Sequence, residues 1–374
     1  MRPDTCHLCT GSVPTCCITS NCCCRRFCRK RRARSARRPH SLWLRRSRIA
    51  ALDHAESFWF RSGREAGTMI ARMQRQSSLP GGFMKLFIVP MVVAAFGCGA
   101  TVSEVRTDVR PWKPVGIFSP QFESHPAFDP RTGDFYFVRS SPQFTGWRIL
   151  VSHCTGKGWS EPRPPSFAGD GVEADPYFTP DGHSMYFIST RSESGVKQTE
   201  LDIWRVDRDA AGSWGAPTRL PEPINSVGAE WFPRPGPDGW LYFGSDRPGG
   251  LGGNDIWRAH PDATGRWMVE NLGAAVNTSG DDYEPLPSPD GSRMIIMGDG
   301  GLYETRRTAS GWSPRSKLGP EINRNGTEIG ALFSPSGRSL LFARDTKGPD
   351  SGEFFVWYQS GLEAWPPECA ASGR

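Results

Sequence analysis

The stretch EWFPRPGPDGWLYFGSDRPGGLGGNDIWRA (230–259) decides the fold, because an earlier part of the chain repeats its pattern. EADPYFTPDGHSMYFISTR (173–191) likewise begins with an acidic residue and a short apolar segment, and then reaches Pro-Asp-Gly. A second apolar segment with paired aromatic residues follows in both, and LDIWRV (201–206) matches NDIWRA (254–259). Proline presets the backbone of a turn, aspartate bonds locally and glycine accepts a positive φ. Each Pro-Asp-Gly therefore predicts a turn between two strands.

Three weaker copies extend the repeat along the chain. They are ESHPAFDPRTGDFYFVRS (123–140), DYEPLPSPDGSRMIIMGD (282–299) and EIGALFSPSGRSLLFARD (328–345). Units of several short strands, recurring every 46–57 residues, are typical of propeller blades. We therefore predict an all-β fold, a β-propeller of four-stranded blades, with five blades and six as the alternative.

One segment before the first copy predicts how the ring closes. RPWKPVGIF (110–118) is similar to the fourth-strand segments such as GSWGAPTRL (212–220). It can supply the outer strand of the last blade and so remove an open sheet edge. EAWPPE (363–368) competes for that place. We predict closure by the N-terminal strand.

Several short pieces of the repeat carry a family resemblance. SPDG (288–291), YFISTR (186–191) and DIW (202–204) resemble the repeats of the TolB-like β-propeller family. The resemblance covers residues 105–365 and implies the propeller fold together with a place in the cell envelope. It is specific for the fold and poorly specific for function, because one fold hosts many activities.

Composition separates the first 83 residues from the rest. They hold 17 Lys and Arg against 4 Asp and Glu, whereas residues 84–374 hold 28 against 35. Eight of the eleven cysteines lie within the first 28 residues, but a single C-x-x-C without a second pair does not make a zinc module. A basic nucleic-acid arm is a second functional interpretation. We favour a third, in which residues 1–83 are a non-native, disordered upstream extension.

MKLFIVPMVVAAFGC (84–98) has the layout of a secretory signal, with one lysine, a short apolar run and small residues before Cys98. It resembles a bacterial lipoprotein signal, and the apolar run is too short to span a bilayer. We predict a signal peptide over 84–97, lipidation at Cys98, a linker over 98–109, the propeller over 110–368 and a tail over 369–374. Gly99 in place of aspartate favours the periplasmic face of the outer membrane.

Two cysteines remain in the predicted mature chain besides Cys98. Cys154 and Cys369 could pair in an oxidising periplasm, but two cysteines do not make a disulfide framework. We expect both to be unpaired and structural.

An acidic residue opens every copy of the repeat. These residues are Glu123, Glu173, Glu230, Asp282 and Glu328. The first strand of a blade lines the central channel, so the five carboxylates are expected to form a ring at one channel mouth. Such a ring can bind a cation, a basic peptide or a sugar, or it can bond neighbouring blades together, and repetition in every blade favours the structural role. Trp231 and Trp240 do not repeat and are therefore candidates for recognition.

The sequence offers little support for an enzyme. The glycines of 249–253 predict a flexible hairpin tip, because the equivalent loop of the preceding blade is not glycine-rich and no phosphate-binding helix follows. No G-x-S-x-G elbow is present, and His125, His153, His183 and His260 form no ligand pair. We expect no catalytic residues, no metal site and no cofactor, with a divalent cation at the acidic ring as the alternative.

Together these features predict a function. We expect a monomeric, non-enzymatic, lipid-anchored periplasmic propeller that binds a cell-envelope protein, or glycan in peptidoglycan-associated material, through its channel-mouth face. The acidic balance beyond residue 83 argues against nucleic acid as a partner. The alternative is a hydrolase of glycosides, lactones or esters that uses the carboxylate ring.

Overall fold

The computed structural model describes residues 108–369, apart from residues 197, 325, 326, 347, 349, 350 and 360. In these residues twenty β-strands form five sheets, arranged as a five-bladed β-propeller. The all-β fold and the five blades are confirmed. No helix of the described residues is long and apolar enough to cross a bilayer. The predicted upstream extension, the signal peptide and Cys98 lie outside the described residues.

Each blade takes its strands in chain order from the central channel outwards. The first blade contains β2 (Phe122–Phe128), β3 (Phe135–Ser140) and β4 (Arg148–Ser152). The second blade contains β5 (Glu173–Phe178), β6 (Ser184–Ser189), β7 (Asp202–Asp207) and β8 (Thr218–Arg219). The third blade contains β9 (Glu230–Pro235), β10 (Leu241–Ser245), β11 (Asp255–Pro261) and β12 (Trp267–Asn271). The fourth blade contains β13 (Tyr283–Pro287), β14 (Arg293–Gly298), β15 (Gly301–Thr308), β16 (Gly311–Trp312) and β17 (Ser316–Lys317). The fifth blade contains β18 (Thr327–Phe333), β19 (Ser339–Asp345) and β20 (Glu353–Tyr358).

The N-terminal strand closes the ring, as predicted. β1 (Asp108–Trp112) pairs antiparallel with β20 and supplies the outer strand of the fifth blade. In this pairing Trp112 lies opposite Phe354. The Trp112 ring lies 5.1 Å from the ring of Phe135 in the first blade and 6.0 Å from that of Phe354. The closing strand therefore joins the two ends of the ring by apolar packing as well as by hydrogen bonds.

The outer edges of two blades depart from the four-stranded pattern. In the first blade the fourth strand is reduced to an isolated bridge between Val151 and Arg163. Pro162, Pro164 and Pro165 flank that bridge, and a residue without an N–H group cannot extend a ladder. In the fourth blade two short strands, β16 and β17, share the outer edge of β15.

The Pro-Asp-Gly turns close the hairpins between first and second strands. In the fourth blade Gly291 adopts a φ of 68°, and the Asp290 carboxylate accepts hydrogen bonds from the Ser292 N–H and from the hydroxyls of Ser288 and Ser292. These bonds to the ionised form lower the pKa of Asp290 to about 2. The turn chemistry expected from the sequence is the chemistry present.

A disulfide bond corrects the prediction for the two late cysteines. Cys154, just beyond the third strand of the first blade, is bonded to Cys369, and their Cα atoms lie 5.3 Å apart. The two residues are 215 positions apart in the sequence, so composition alone could not place them together. The bond fastens the segment after the fifth blade to the first blade, alongside the closing strand.

We predict that Cys154→Ser lowers the free energy of unfolding by about 2–5 kcal/mol, because the bond restricts the unfolded chain over a long loop. Urea denaturation of the oxidised protein with and without dithiothreitol measures the effect. The reductant should destabilise the wild type and leave the variant unchanged. Equal midpoints for wild type and variant in the absence of reductant would contradict a stabilising role.

Candidate functional site

All five inner strands begin at the same end of the ring, which we call the mouth face. Glu230 at the start of β9 lies opposite Ser245, which lies opposite Asp255 at the start of β11. The loops between second and third strands open on this face, among them the glycine cluster of 249–253. The N–H groups of Leu251 and Gly252 donate to the Asp255 carboxylate at 2.6 and 3.0 Å. The glycines therefore form a hairpin tip that its own aspartate holds, rather than a phosphate cradle.

The five predicted ring carboxylates lie at the mouth face, and each is at most 1% exposed. Each forms an ion pair with an arginine, and we call each pair a clamp. The clamps are Glu123–Arg139, Glu173–Arg191, Glu230–Arg247, Asp282–Arg315 and Glu328–Arg344. Buried carboxylates require such partners, because an unpaired charge loses its hydration at a high cost.

The clamp of the third blade shows how the contacts are arranged. The Glu230 carboxylate accepts hydrogen bonds from the Ser226 hydroxyl at 2.6 Å, the Ser245 hydroxyl at 2.9 Å and Arg247 Nη2 at 2.9 Å. Arg247 Nη1 also donates to the carbonyl of Pro223 at 2.8 Å. The backbone N–H of Glu230 donates to the carbonyl of Leu201 in the second blade at 2.8 Å. One clamp thus fixes the connecting segment and joins two blades.

The fourth blade builds its clamp from a different part of the chain. Four clamps take their arginine from the end of the second strand or from the second residue after it, but β14 ends at Gly298 and has no arginine there. A Cβ at Gly298 would lie 2.6 Å from Arg315 Nη1, so the glycine makes room for a guanidinium that comes from the outer edge of the blade. Arg315 then pairs with Asp282. The buried carboxylate of the fourth blade is thus paired at the same place by an arginine that does not come from the second strand.

Burial shifts the pKa of three clamp acids. Desolvation raises the pKa of Glu230, of Asp282 and of Glu328 above the ordinary carboxyl value, and the arginines and local hydrogen bonds offset part of that rise. The clamp carboxylates therefore form their contacts inside the protein. A ligand-binding role for the five residues stays a prediction.

The two tryptophans predicted for recognition lie at opposite ends of one strand. Trp231 is the second residue of β9 at the mouth face, half-buried, with its ring 6.0 Å from that of Trp147. Trp240 lies in the turn at the far end, where Arg258 stacks 4.0 Å above its ring. Only Trp231 is placed with the mouth-face residues.

A backbone bulge in every inner strand creates a second ring below the clamps. The pairing register of each inner strand shifts just after the clamp carboxylate. The residue two positions after the carboxylate adopts a left-handed φ between 49° and 64° in every blade. Residues other than glycine rarely adopt this conformation, and a bulge changes the direction of the side chain that it carries. The residues are His125, Asp175, Phe232, Glu284 and Gly330; we call this set the axial cluster.

The axial cluster brings two carboxylates to one histidine. His125 Nε2 lies 3.5 Å from Asp175 Oδ1 and 3.6 Å from Glu284 Oε1, and all three side chains are at most 7% exposed. The other carboxylate oxygens are occupied, since Asp175 Oδ2 accepts the Phe232 N–H at 3.0 Å and Glu284 Oε2 accepts the Gly330 N–H at 2.7 Å. Four blades thus contribute side chains, and the fifth contributes a backbone N–H.

Gly330 and Ser124 make this arrangement possible. A Cβ at Gly330 would lie 2.5 Å from the backbone nitrogen of His125, so only glycine fits in the fifth blade. His125 Nδ1 is hydrogen-bonded to Ser124 Oγ at 2.8 Å, which leaves Nε2 directed to the two carboxylates. Among the described residues, neither His125 Nε2 nor Glu284 Oε1 has a hydrogen-bond partner.

A buried arginine lies beside the cluster. Arg234 Nη1 donates to the carbonyl of Asp175 at 3.4 Å, and its guanidinium lies 4.8 Å from the centre of the Tyr177 ring. Burial raises the pKa of Asp175, while the charges of His125 and Arg234 and the N–H of Phe232 oppose that rise. Burial lowers the pKa of Arg234. The two carboxylates thus have one permanent cation beside them.

A small pocket reaches the axial cluster from the mouth face. Its volume is about 20 Å³, room for one or two water-sized groups. His125 and Asp175 lie on its wall together with four aromatic side chains, which are Phe144, Trp147, Trp231 and Phe232. Trp147 and Trp231 are half-buried, so the pocket meets the surface on their side. Among the residues that the structure describes, no group of three His, Cys, Asp or Glu side chains is arranged to hold a metal ion.

Sequence reasoning missed the axial cluster, because its five members share no residue type. A search for repeats detects residue types that recur, and a position that holds His, Asp, Phe, Glu and Gly in the five blades shows no such recurrence. The available signal was the reverse pattern: a position that varies strongly within an otherwise repeated frame of acidic residue, proline and turn.

Comparisons with known proteins do not assign the chain to a family. No family model matches the sequence. An uncharacterized protein of Agrobacterium fabrum, Atu1656, is 27% identical over 179 residues, which are 47% of this chain and 52% of that protein. The chain thus spans about half the length of the curated relative that it matches.

Solved structures that are similar to this chain include TolB proteins and enzymes. TolB from Acinetobacter baumannii is 19% identical, with 64% of this chain and 54% of that chain covered at a TM-score of 0.38. The periplasmic gluconolactonase PpgL of Pseudomonas aeruginosa is 17% identical, with 64% and 82% covered at 0.38. A family 117 glycoside hydrolase of Zobellia galactanivorans is 12% identical, with 70% and 94% covered at 0.42. At these identities and TM-scores the likeness supports no conclusion about activity.

We predict that Arg247→Met lowers the free energy of unfolding by about 3–5 kcal/mol, because it leaves the buried Glu230 carboxylate without its cation. Arg163→Met is the matched control, since the Arg163 and Glu161 side chains are 78% and 81% exposed and their pair contributes little. Urea denaturation at pH 7 compares the two variants with the wild type.

The loss in Arg247→Met should also depend on pH. Burial already raises the pKa of Glu230, and removal of the arginine raises it further. The folded variant therefore takes up a proton more readily than the unfolded chain, so its deficit against the wild type should shrink as the pH falls through that raised pKa. A deficit that stays constant from pH 7 to pH 4, or one equal to that of Arg163→Met, would contradict the clamp.

Proposed function

We propose that the protein is a non-enzymatic, lipid-anchored periplasmic β-propeller that binds a cell-envelope protein on its mouth face. The observation that carries the proposal is the state of the five clamp carboxylates, each buried and paired with an arginine. A hydrolase that worked through this ring would need at least two of them free and facing a substrate. A binding module needs a rigid ring, which the clamps supply.

Exposed apolar side chains support the mouth face as the docking surface. Among the described residues six large hydrophobic side chains are strongly exposed, and four of them lie in mouth-face segments: Val115, Val196, Val227 and Leu251. Val115 and Val227 lie in segments that connect blades, whereas Val196 and Leu251 lie in loops between second and third strands. Scattered exposed residues need no explanation, but a bias to one face of a ring is typical of an interaction surface.

The disulfide supports the proposed compartment. Bonds such as Cys154–Cys369 form and persist in oxidising environments, among them the bacterial periplasm, and are rare in the cytosol. Together with the signal-like segment 84–98, this favours a periplasmic protein anchored through Cys98, for which we propose the outer membrane.

A hydrolase remains the second candidate because of Asp175. A buried carboxyl with a raised pKa beside a second carboxylate is a recognised arrangement for acid–base catalysis. The pocket above it, however, has a volume of about 20 Å³, whereas pockets for sugars or other small molecules measure hundreds of Å³. The geometry thus favours binding over turnover.

Photo-crosslinking in the native envelope tests the docking surface. A crosslinking amino acid at Val227 or Leu251 should trap one defined protein, whereas the same group at Met268 or Leu362, which are exposed outside the mouth face, should not. With the trapped protein purified, Val227→Glu should weaken its binding at least about tenfold, because a charge would then be buried in an apolar contact. Equal crosslinking at all four positions, or equal weakening by Met268→Glu, would overturn the proposal.

The anchor has its own measurement. Intact mass analysis of the protein purified from its native membrane should give a chain that begins at diacylated or triacylated Cys98. Globomycin, which blocks lipoprotein signal cleavage, should shift that mass to a chain that keeps the signal segment. A purified chain that retains residues 1–83 would contradict both the anchor and the proposed processing.

A further inference from the structure

The axial cluster holds two buried carboxylates beside one permanent cation. Asp175 and Glu284 place two carboxylates in the buried centre of the ring, and Arg234 is the permanent cation in contact with the Asp175 backbone. His125 Nε2 and Glu284 Oε1 face each other at 3.6 Å, beyond the usual hydrogen-bond distance, and neither has a hydrogen-bond partner among the described residues. Buried polar atoms without partners in the protein call for an explanation, which can be a water molecule, a ligand or an ion.

The pocket beside this cluster has walls that favour a cation. Phe144, Trp147, Trp231 and Phe232 surround it, and the rings of Trp147 and Trp231 meet edge to face at 6.0 Å. Aromatic faces carry negative electrostatic potential and attract ammonium or guanidinium groups, most strongly where water is excluded. Asp175, on the same wall, adds a carboxylate. Charge and lining thus point to the same class of ligand.

We propose that the pocket is a binding site for a primary ammonium group, supplied by a lysine side chain of the protein that docks on the mouth face. The inference rests on the proposed function and names the chemistry of its partner. The lysine would enter alongside Trp147 and Trp231, with its methylene groups along the aromatic rings and its ammonium group toward Asp175 and His125 Nε2.

The size of the pocket selects among cations. About 20 Å³ holds a group of the size of water, which an ammonium group matches. A quaternary ammonium and a planar guanidinium are larger than an ammonium group and are expected to fit this small pocket less well. Methylammonium and the side chain of Nα-acetyl-lysine amide are therefore expected to bind, and tetramethylammonium is not.

Titration with these small probes tests the site without the partner. At constant ionic strength, methylammonium chloride and Nα-acetyl-lysine amide should produce a saturable change in tryptophan fluorescence and in the indole N–H NMR signals, with a Kd of about 1 mM. Sodium chloride and Nα-acetyl-norleucine amide should produce none. A glycine amide probe distinguishes a lysine side chain from an α-amino group, since its ammonium group lies next to the backbone and cannot reach past the tryptophans.

Two variants and one control make the test specific. Asp175→Asn keeps an acceptor for the Phe232 N–H and removes the charge, and Trp231→Leu removes an aromatic wall at a half-buried position. Each should raise the Kd for methylammonium at least about tenfold. Trp240→Leu, a half-buried tryptophan outside the pocket, should leave the Kd unchanged.

The outcomes separate this inference from the proposed function. An absence of saturable binding by methylammonium, equal binding by tetramethylammonium, or an unchanged Kd in Trp231→Leu would overturn the ammonium site. Such a result would leave the crosslinking pattern at Val227 and Leu251 intact if the mouth face still docks its protein. Saturable ammonium binding without any crosslinked partner would instead overturn the docking proposal alone.

Discussion

The buried ion pair at the start of every blade is the interaction on which the ring depends. A propeller has no helix or second layer to cover its central channel, so the entry point of each inner strand must be fixed by contacts within the ring. The clamp does this with a carboxylate that accepts hydrogen bonds from the connecting segment and from an arginine on the same blade, as Glu230 does with Ser226 and Arg247. Because the carboxylate is buried in every clamp, loss of its arginine is far more costly than the net worth of the pair.

Stacking gives the clamp arginines a second role. The guanidinium of Arg191 lies 4.9 Å from the ring centre of Phe187 and 5.3 Å from that of Trp204, and that of Arg344 lies 4.5 Å from the ring centre of Phe355. The planar group can be buried between rings while its edge meets the carboxylate, which an ammonium group on a lysine could not do equally well. Hydrophobic packing within a blade and the polar bond to its connecting segment are thus made by one side chain. The pair therefore favours one position of the blade over others that would bury the same apolar surface.

Much of this structure follows from the repeat, and the failures have identifiable causes. Strand number, turn chemistry and the place of the acidic residues depend on local patterns of a few residues, so they could be predicted. Cys154 and Cys369 could not be paired, because ring closure brings together residues 215 positions apart. Nor could Arg315 be assigned to Asp282, since its place is set by the space that Gly298 leaves. Long-range contacts are decided by the closed ring, and the local sequence does not encode them directly.

The axial cluster shows where such a frame leaves freedom for function. Clamps, turns and bulges recur because every blade has the same structural task, and the bulge directs one residue of each blade towards the axis whatever its side chain is. No single structural role requires the same side chain at this position in every blade, so the five residues can differ. Here they are two acids, a histidine, a phenylalanine and a glycine. The glycine is as informative as the acids, because a side chain at Gly330 would displace His125. The buried carboxylates of Asp175 and Glu284 each accept a backbone N–H of the next blade, from Phe232 and Gly330, and their second oxygens face His125. Residues that recur in every blade serve the scaffold, whereas the one position that differs between blades is where a fold of this kind can build a ligand site.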